Sequence, residues 1–128
     1  MATSYRIDKE AGVVYSSASG IATDEEFLSH QRLLSRDPDF RPHFRQLLDG
    51  REITELRVTP AGIRALIAGN PWGKGAKRAL VAADDTAFGL ARMFELGRPN
   101  PQDEFRVFRT IAEAREWLGL PLEELPSR

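Results

Sequence analysis

The sequence predicts an α/β domain with a mostly parallel sheet of about five strands, and three observations carry that prediction. Short apolar runs alternate with segments of helical period along most of the chain. The helical segments open on capping residues and close on glycine or proline. The first two β-like runs are instead joined by a tight turn, so the first strand is an antiparallel strand at the sheet edge. The order is β-β-α-β-α-β-α-β-α, with right-handed crossovers between the parallel strands.

Tyr5 to Asp8 alternates as a half-buried strand does, and Lys9 to Gly12 turns the chain into a second strand, Val13 to Ala18, ending at Ser19-Gly20. Thr23 followed by Glu26 is a capping box, in which hydroxyl and carboxylate each satisfy an unpaired backbone N–H. Asp24, Glu25 and Glu26 suit the positive end of that helix, Phe27, Leu28, Gln31 and Leu34 give its stripe, and Asp37-Pro38 ends it. Asp39 to His43 is loop. Arg45 to Asp49 is a short strand, followed by an irregular connection over Gly50 to Arg57.

Thr59-Pro60 starts the second helix, with threonine as N-cap and proline where its missing N–H costs nothing. Ile63, Leu66 and Ile67 form its buried face, and Gly69-Asn70-Pro71 stops it. After the loop Trp72 to Ala76 comes a strand over Arg78 to Ala83, whose continuous apolar run fits a strand covered on both faces. Asp84 or Asp85 caps the third helix, its inner face is Ala87, Leu90, Ala91 and Phe94, and Gly97 closes it. Arg98 to Asp103 is loop, Phe105 to Phe108 is the last strand, and Thr110 with Glu113 opens a last helix through Leu118. Residues 119–128 form a C-terminal tail that folds back through Leu120, Leu122 and Leu125.

At 128 residues the whole chain, 1–128, fits one domain with its own core. Eighteen basic residues against 19 acidic give a net charge of -1, so no global field favours nucleic acid. With no cysteine there is no disulfide framework and no thiolate chemistry. The start, MATSYRIDKE, lacks a secretory apolar region, and no stretch approaches the roughly 18 apolar residues of a membrane span. A cytoplasmic location is the expectation.

Ligands of open α/β sheets usually meet the carboxyl ends of the strands. Asp49, Asp84 and Asp85 lie there and could converge on a hard cation, but one acidic pair is too little to expect a metal or any cofactor. Gly73-Lys74-Gly75 is no phosphate loop: its spacing is wrong and it lies between a helix and a strand. It reads as a loop with solvated Lys74, Lys77 and Arg78, beside which Trp72 could touch a partner or ligand. His30 and His43 have no partner at catalytic spacing, so no catalytic residue is expected. Phe88 and Met93 lie off the inner stripe of their helix, where an apolar patch would suit a protein contact or a homodimer.

Two segments resemble the STAS superfamily, the fold of anti-sigma-factor antagonists, and in particular its SpoIIAA-like (STAS/SEC14-like) branch. They are Arg78-Ala-Leu-Val-Ala through Phe88-Gly-Leu-Ala-Arg-Met-Phe94, and Phe105-Arg-Val-Phe-Arg109 with Glu113-Ala-Arg-Glu-Trp-Leu118. The resemblance implies a non-enzymatic regulatory module that docks an unidentified protein, in a partner-switching pathway. In the antagonists a serine at the start of the helix after the third strand is phosphorylated. The matching place here is Val58-Thr59-Pro60-Ala61-Gly62, which makes Thr59, Pro60 and Gly62 the candidate phospho-acceptor or docking site, although the family's Asp-Ser-Ser-Gly pattern is not kept. The alternative is a domain that binds a small apolar molecule or lipid between sheet and helices, where Phe27, Phe40, Phe44, Phe88 and Phe94 would line the space.

Overall fold

The structure, a computed structural model, describes residues 3–121; the predicted contacts of Leu122 and Leu125 lie outside them. In chain order the elements are β1 (Thr3–Asp8), β2 (Val13–Thr23), α1 (Asp24–Ser35), β3 (Arg45–Arg57), α2 (Pro60–Ala68), β4 (Lys77–Val81), α3 (Asp85–Gly97), β5 (Glu104–Phe108) and α4 (Ile111–Leu118). The five strands lie in sequential order, with β1 antiparallel to β2 and the rest parallel. This is the predicted architecture, including the antiparallel edge strand.

Side-chain alternation along the strands divides the core. One face carries Ala18, Leu48, Leu80, Ala82, Phe105 and Val107, covered by Ala87 and Ala91 of α3 and by Phe27 of α1. The other carries Val13, Leu47, Ala79 and Val81 against Ala114 and Leu118 of α4, with Leu120 of the tail folded in as expected. Each large apolar side chain so buried contributes about 1.5–3 kcal/mol. Under the first face, Val14, Leu34, Phe40, Phe44, Trp72 and Ala76 close the amino-terminal end of the sheet.

The strands β2 and β3 are longer than the sequence suggests. Gly50 to Arg57 is not an irregular connection: it continues β3, pairing with the second half of β2 as far as Thr23–Arg57. The pairing of β3 with β4 stops at Asp49–Val81, so the two strands project past β4 as a ribbon. Two register shifts, opposite Ser17–Ser19 and opposite Gly20–Ile21, each put one extra residue into β3 and break the period-2 pattern that reveals a strand. Gly50 marks the point of departure, because a Cβ there would stand 2.9 Å from the Val81 carbonyl oxygen.

All four helices open on the predicted caps. Thr23, Thr59, Asp84 and Thr110 accept from the backbone N–H of Glu26, Gly62, Ala87 and Glu113 respectively, so Asp84 rather than Asp85 caps α3. The capping boxes form only in half. Glu113 takes the Thr110 hydroxyl proton instead of a backbone N–H, and Glu26 leaves a buried carboxylate oxygen with no partner among the described residues. Met93 is 68% exposed, as its place on the helix implies, whereas Phe88 is half-buried against the core.

Candidate functional site

The helix α2 sits differently from the others. It packs chiefly on α1 and stands off the sheet, and Gly62 is its one buried residue. Its predicted inner face, Ile63, Leu66 and Ile67, is only half-buried, because it looks onto a cavity of about 430 Å³. The volume falls within the range of small-molecule sites. The walls come from α2, from Phe27 of α1, from Ile53 and Leu56 of the projecting β3 ribbon, and from Leu90 and Phe94 of α3.

What holds α2 in place is polar. The Asp24 carboxylate, in the first turn of α1, accepts from both the backbone N–H (2.9 Å) and the hydroxyl of Thr59. The Thr59 hydroxyl oxygen in turn accepts from Gly62 N–H at 3.0 Å. Gly62 permits this fit, since a Cβ there would overlap the Asp24 carboxylate, 2.1 Å from its Cγ. Thr59 is thus an N-cap whose hydroxyl is already engaged, beside a negative charge.

The deep end of the cavity is charged. Arg78 and Gln46 are register partners on β4 and β3, on the face that carries Leu80 and Leu48. Arg78 Nε donates to Gln46 Oε1 at 3.0 Å, which orients the amide so that Gln46 Nε2 donates to Ser16 Oγ at 3.1 Å. Ser16 Oγ lies 3.0 Å from His30 Nε2 and, having accepted from Gln46, can donate its own proton there. Burial, helped by the charge of Arg78, pushes the His30 pKa down to about 4, so the ring is neutral at physiological pH.

Arg78 Nη1 also pairs with Asp103 at 3.2 Å, and Arg98 Nη1 reaches both Asp103 oxygens at 3.0 Å. Asn70 Nδ2 completes the set at 3.0 Å. The Asp103 side chain is fully buried. Burial disfavours its charge, yet Arg78, Arg98 and Asn70 outweigh that and hold the carboxyl below the usual carboxylate range. Arg78 itself is lowered to about 10 by burial, against the pull of Asp103, and stays charged. Its guanidinium carbon lies over the rings of Trp72 and Phe105, 5.1 and 5.2 Å from their centres.

Several predicted residues land elsewhere. Trp72 is buried, 5% exposed, packed edge-on against Phe40 and lining the cavity rather than displayed at the surface. Arg78 is not a solvated loop residue but the floor of the site. Lys74 is exposed in its loop and lines no part of the cavity. Asp49 is held by Arg51 in a two-bond pair, Asp84 caps α3, and Asp85 reaches out to Arg109 at 2.7 Å. The three acids do not converge, and among the described residues no group of three His, Asp or Glu gathers as a metal site.

Sequence reasoning missed His30, Gln46, Asn70, Arg78, Arg98 and Asp103. Their signal was parity: Gln46 and Arg78 each lie two residues before a core leucine of the same strand, Leu48 and Leu80, and must share its face. Asn70, Arg98 and Asp103 sit in loops, where no periodicity points inward.

No helix of the described residues is long and apolar enough to cross a membrane. No protein-family model matches the chain, and comparison with curated proteins gives no match. Among solved structures, the chain is similar to an uncharacterised protein of the DUF3478 family from Shewanella loihica PV-4. The TM-score is 0.58 and the identity 21%, over 91% of this chain and 92% of that one. That protein is described as having a SpoIIAA-like fold, and the match, with the strand order found here, shows that this chain has the SpoIIAA-like fold too.

Proposed function

We propose that the domain is a non-enzymatic module that binds a small, largely apolar molecule between the sheet and α2. The observation that carries this reading is the cavity of about 430 Å³ under a helix that covers the sheet without packing on it. An occupant would take the cavity's apolar walls, Phe27, Ile53, Leu56, Leu90 and Phe94 among them, out of water, which is favourable. The nearest approach to a catalytic pair, Ser16 and His30, favours binding over chemistry. Ser16 does not line the cavity, and its oxygen is engaged by Gln46.

Trp72 supplies the readout, since it lies in the cavity wall and the only other tryptophan, Trp117, packs with α4 on the opposite face. Titration of the protein with medium-chain aliphatic compounds is expected to change Trp72 emission saturably, with a signal that W72F removes. No saturable change with any aliphatic compound, and no ligand retained in native mass spectrometry, would sink the reading.

A regulatory role in docking a protein fits the same element. The outward residues of α2, Pro60, Ala61, Arg64, Ala65 and Ala68, are exposed, so a shift of α2 over an occupied cavity is readable from outside. A partner captured by the protein only with, or only without, an aliphatic ligand is the expected result. Capture indifferent to both the ligand and an Arg64→Glu change would count against it.

A further inference from the structure

We infer that the cavity's ligand is an amphipathic monocarboxylic acid, with a hydrocarbon body under α2 and a carboxylate seated on Arg78, beside the charge of Arg98. This rests on the ligand-binding reading above and specifies its substrate class. The first support is charge. Arg78 and Arg98 are the charged side chains that line the cavity, and the single Asp103 carboxylate lies between them. Two guanidinium groups against one carboxylate leave one net positive charge in the largely buried wall of this space. His30 is neutral and cannot offset it. A buried charge without a counter-charge is costly.

The second support is unmet hydrogen bonding. The Arg98 side chain is 5% exposed: Nη1 and Nη2 are taken up by Asp103, and Nε is sealed from solvent with no partner among the described residues, so Arg98 contributes its charge. In Arg78, Nε and Nη1 are engaged, while among the described residues no hydrogen bond is made by Nη2. Both guanidinium groups lie over aromatic rings: Trp72 and Phe105 for Arg78, Phe94 and Phe105 for Arg98. What remains for a ligand is Nη2 of Arg78, an N–H donor of the kind that matches a carboxylate. Asp103 holds both side chains in advance, so binding costs little further ordering.

One net charge also sets the ligand's charge. A carboxylate neutralises it. A phosphate monoester would bring nearly one charge more against the same wall, without a partner. A neutral alcohol or ester would leave the positive charge uncompensated.

Isothermal titration of the full chain with decanoic acid, decanol and decyl phosphate tests this. The acid is expected to bind about tenfold or more tighter than the alcohol, the range of a hydrogen bond to a charged group. Arg78→Met is expected to bring the acid down to the alcohol's affinity and leave the alcohol unchanged. If that variant fails to fold by circular dichroism, Arg78→Lys decides, since it keeps the charge and loses the fork: a selective loss for the acid supports the proposal, and an unchanged acid affinity overturns it. Equal binding of acid and alcohol overturns the carboxylate assignment while the ligand-binding reading stands, and so does tighter binding of decyl phosphate. Binding of none of the three removes both.

Discussion

Asp103 carries more of this structure than its place in a loop suggests. It is fully buried, bridges two arginines and takes a further bond from Asn70. Removing one partner of a buried ion pair leaves the other uncompensated, typically at 3–5 kcal/mol. Asp103→Ala is therefore expected to lower the unfolding free energy by about 3 kcal/mol or more in urea titration. Because its pKa is depressed in the folded state, its stabilisation is present above the ordinary carboxylate pKa and is lost as pH falls through the lower folded value. His30 acts in a higher window. Its folded pKa of about 4 lies below its ordinary 6.5, so the unfolded chain binds the proton first. Stability should be level above pH 6.5 and fall between pH 6.5 and about 4, by up to about 3 kcal/mol. Urea midpoints across that window, compared with His30→Gln, check the assignment: the variant should lose the slope.

At the scale of elements, α2 is the part most dependent on single residues. Gly62→Ala places a methyl group where Asp24 sits, and overpacking of this kind costs about 1–3 kcal/mol. Thr59→Ala removes the cap for about 1 kcal/mol. Both changes should speed amide hydrogen exchange over residues 60–68 while leaving that of β4 and α4 unaltered. A phosphate on Thr59 would replace the proton now shared with Asp24 by negative charge facing negative charge, and would release the helix start in the same way. A phosphate-like Thr59→Glu is expected to mimic it in the exchange experiment; unchanged exchange over α2 would show that the helix is held by other means.

At the scale of the whole molecule, the sequence was a better guide to architecture than to site. Periods of two and 3.6, with four correct caps, sufficed for the order of elements and the edge strand, because those signals are local. The extension of β3 was hidden because its own bulges, each an extra residue opposite β2, interrupt the alternation. The site was hidden for a different reason. Arg78 at the start of a strand looks like a surface charge until Asp103, 25 residues on, is known to lie beside it. Trp72, expected to touch a partner or ligand from its loop, is buried and closes the inside of the molecule.

The ribbon of β2 and β3 that walls the cavity has a second consequence, for association rather than ligands. Among the described residues the β4 side of β3 has no strand partner beyond Asp49, so a row of backbone groups there is open to a strand from another chain. The residues along it are Arg51, Glu52, Glu55 and Arg57, all exposed, with Arg51 paired to Asp49 and Arg57 to Glu55. Such surface pairs add little stability. Their worth lies in keeping intruding strands away, since any chain adding to this edge must bury them. Replacing Glu52, Glu55 and Arg57 together by threonine should leave the unfolding midpoint nearly unchanged and raise the rate of aggregation measured by light scattering.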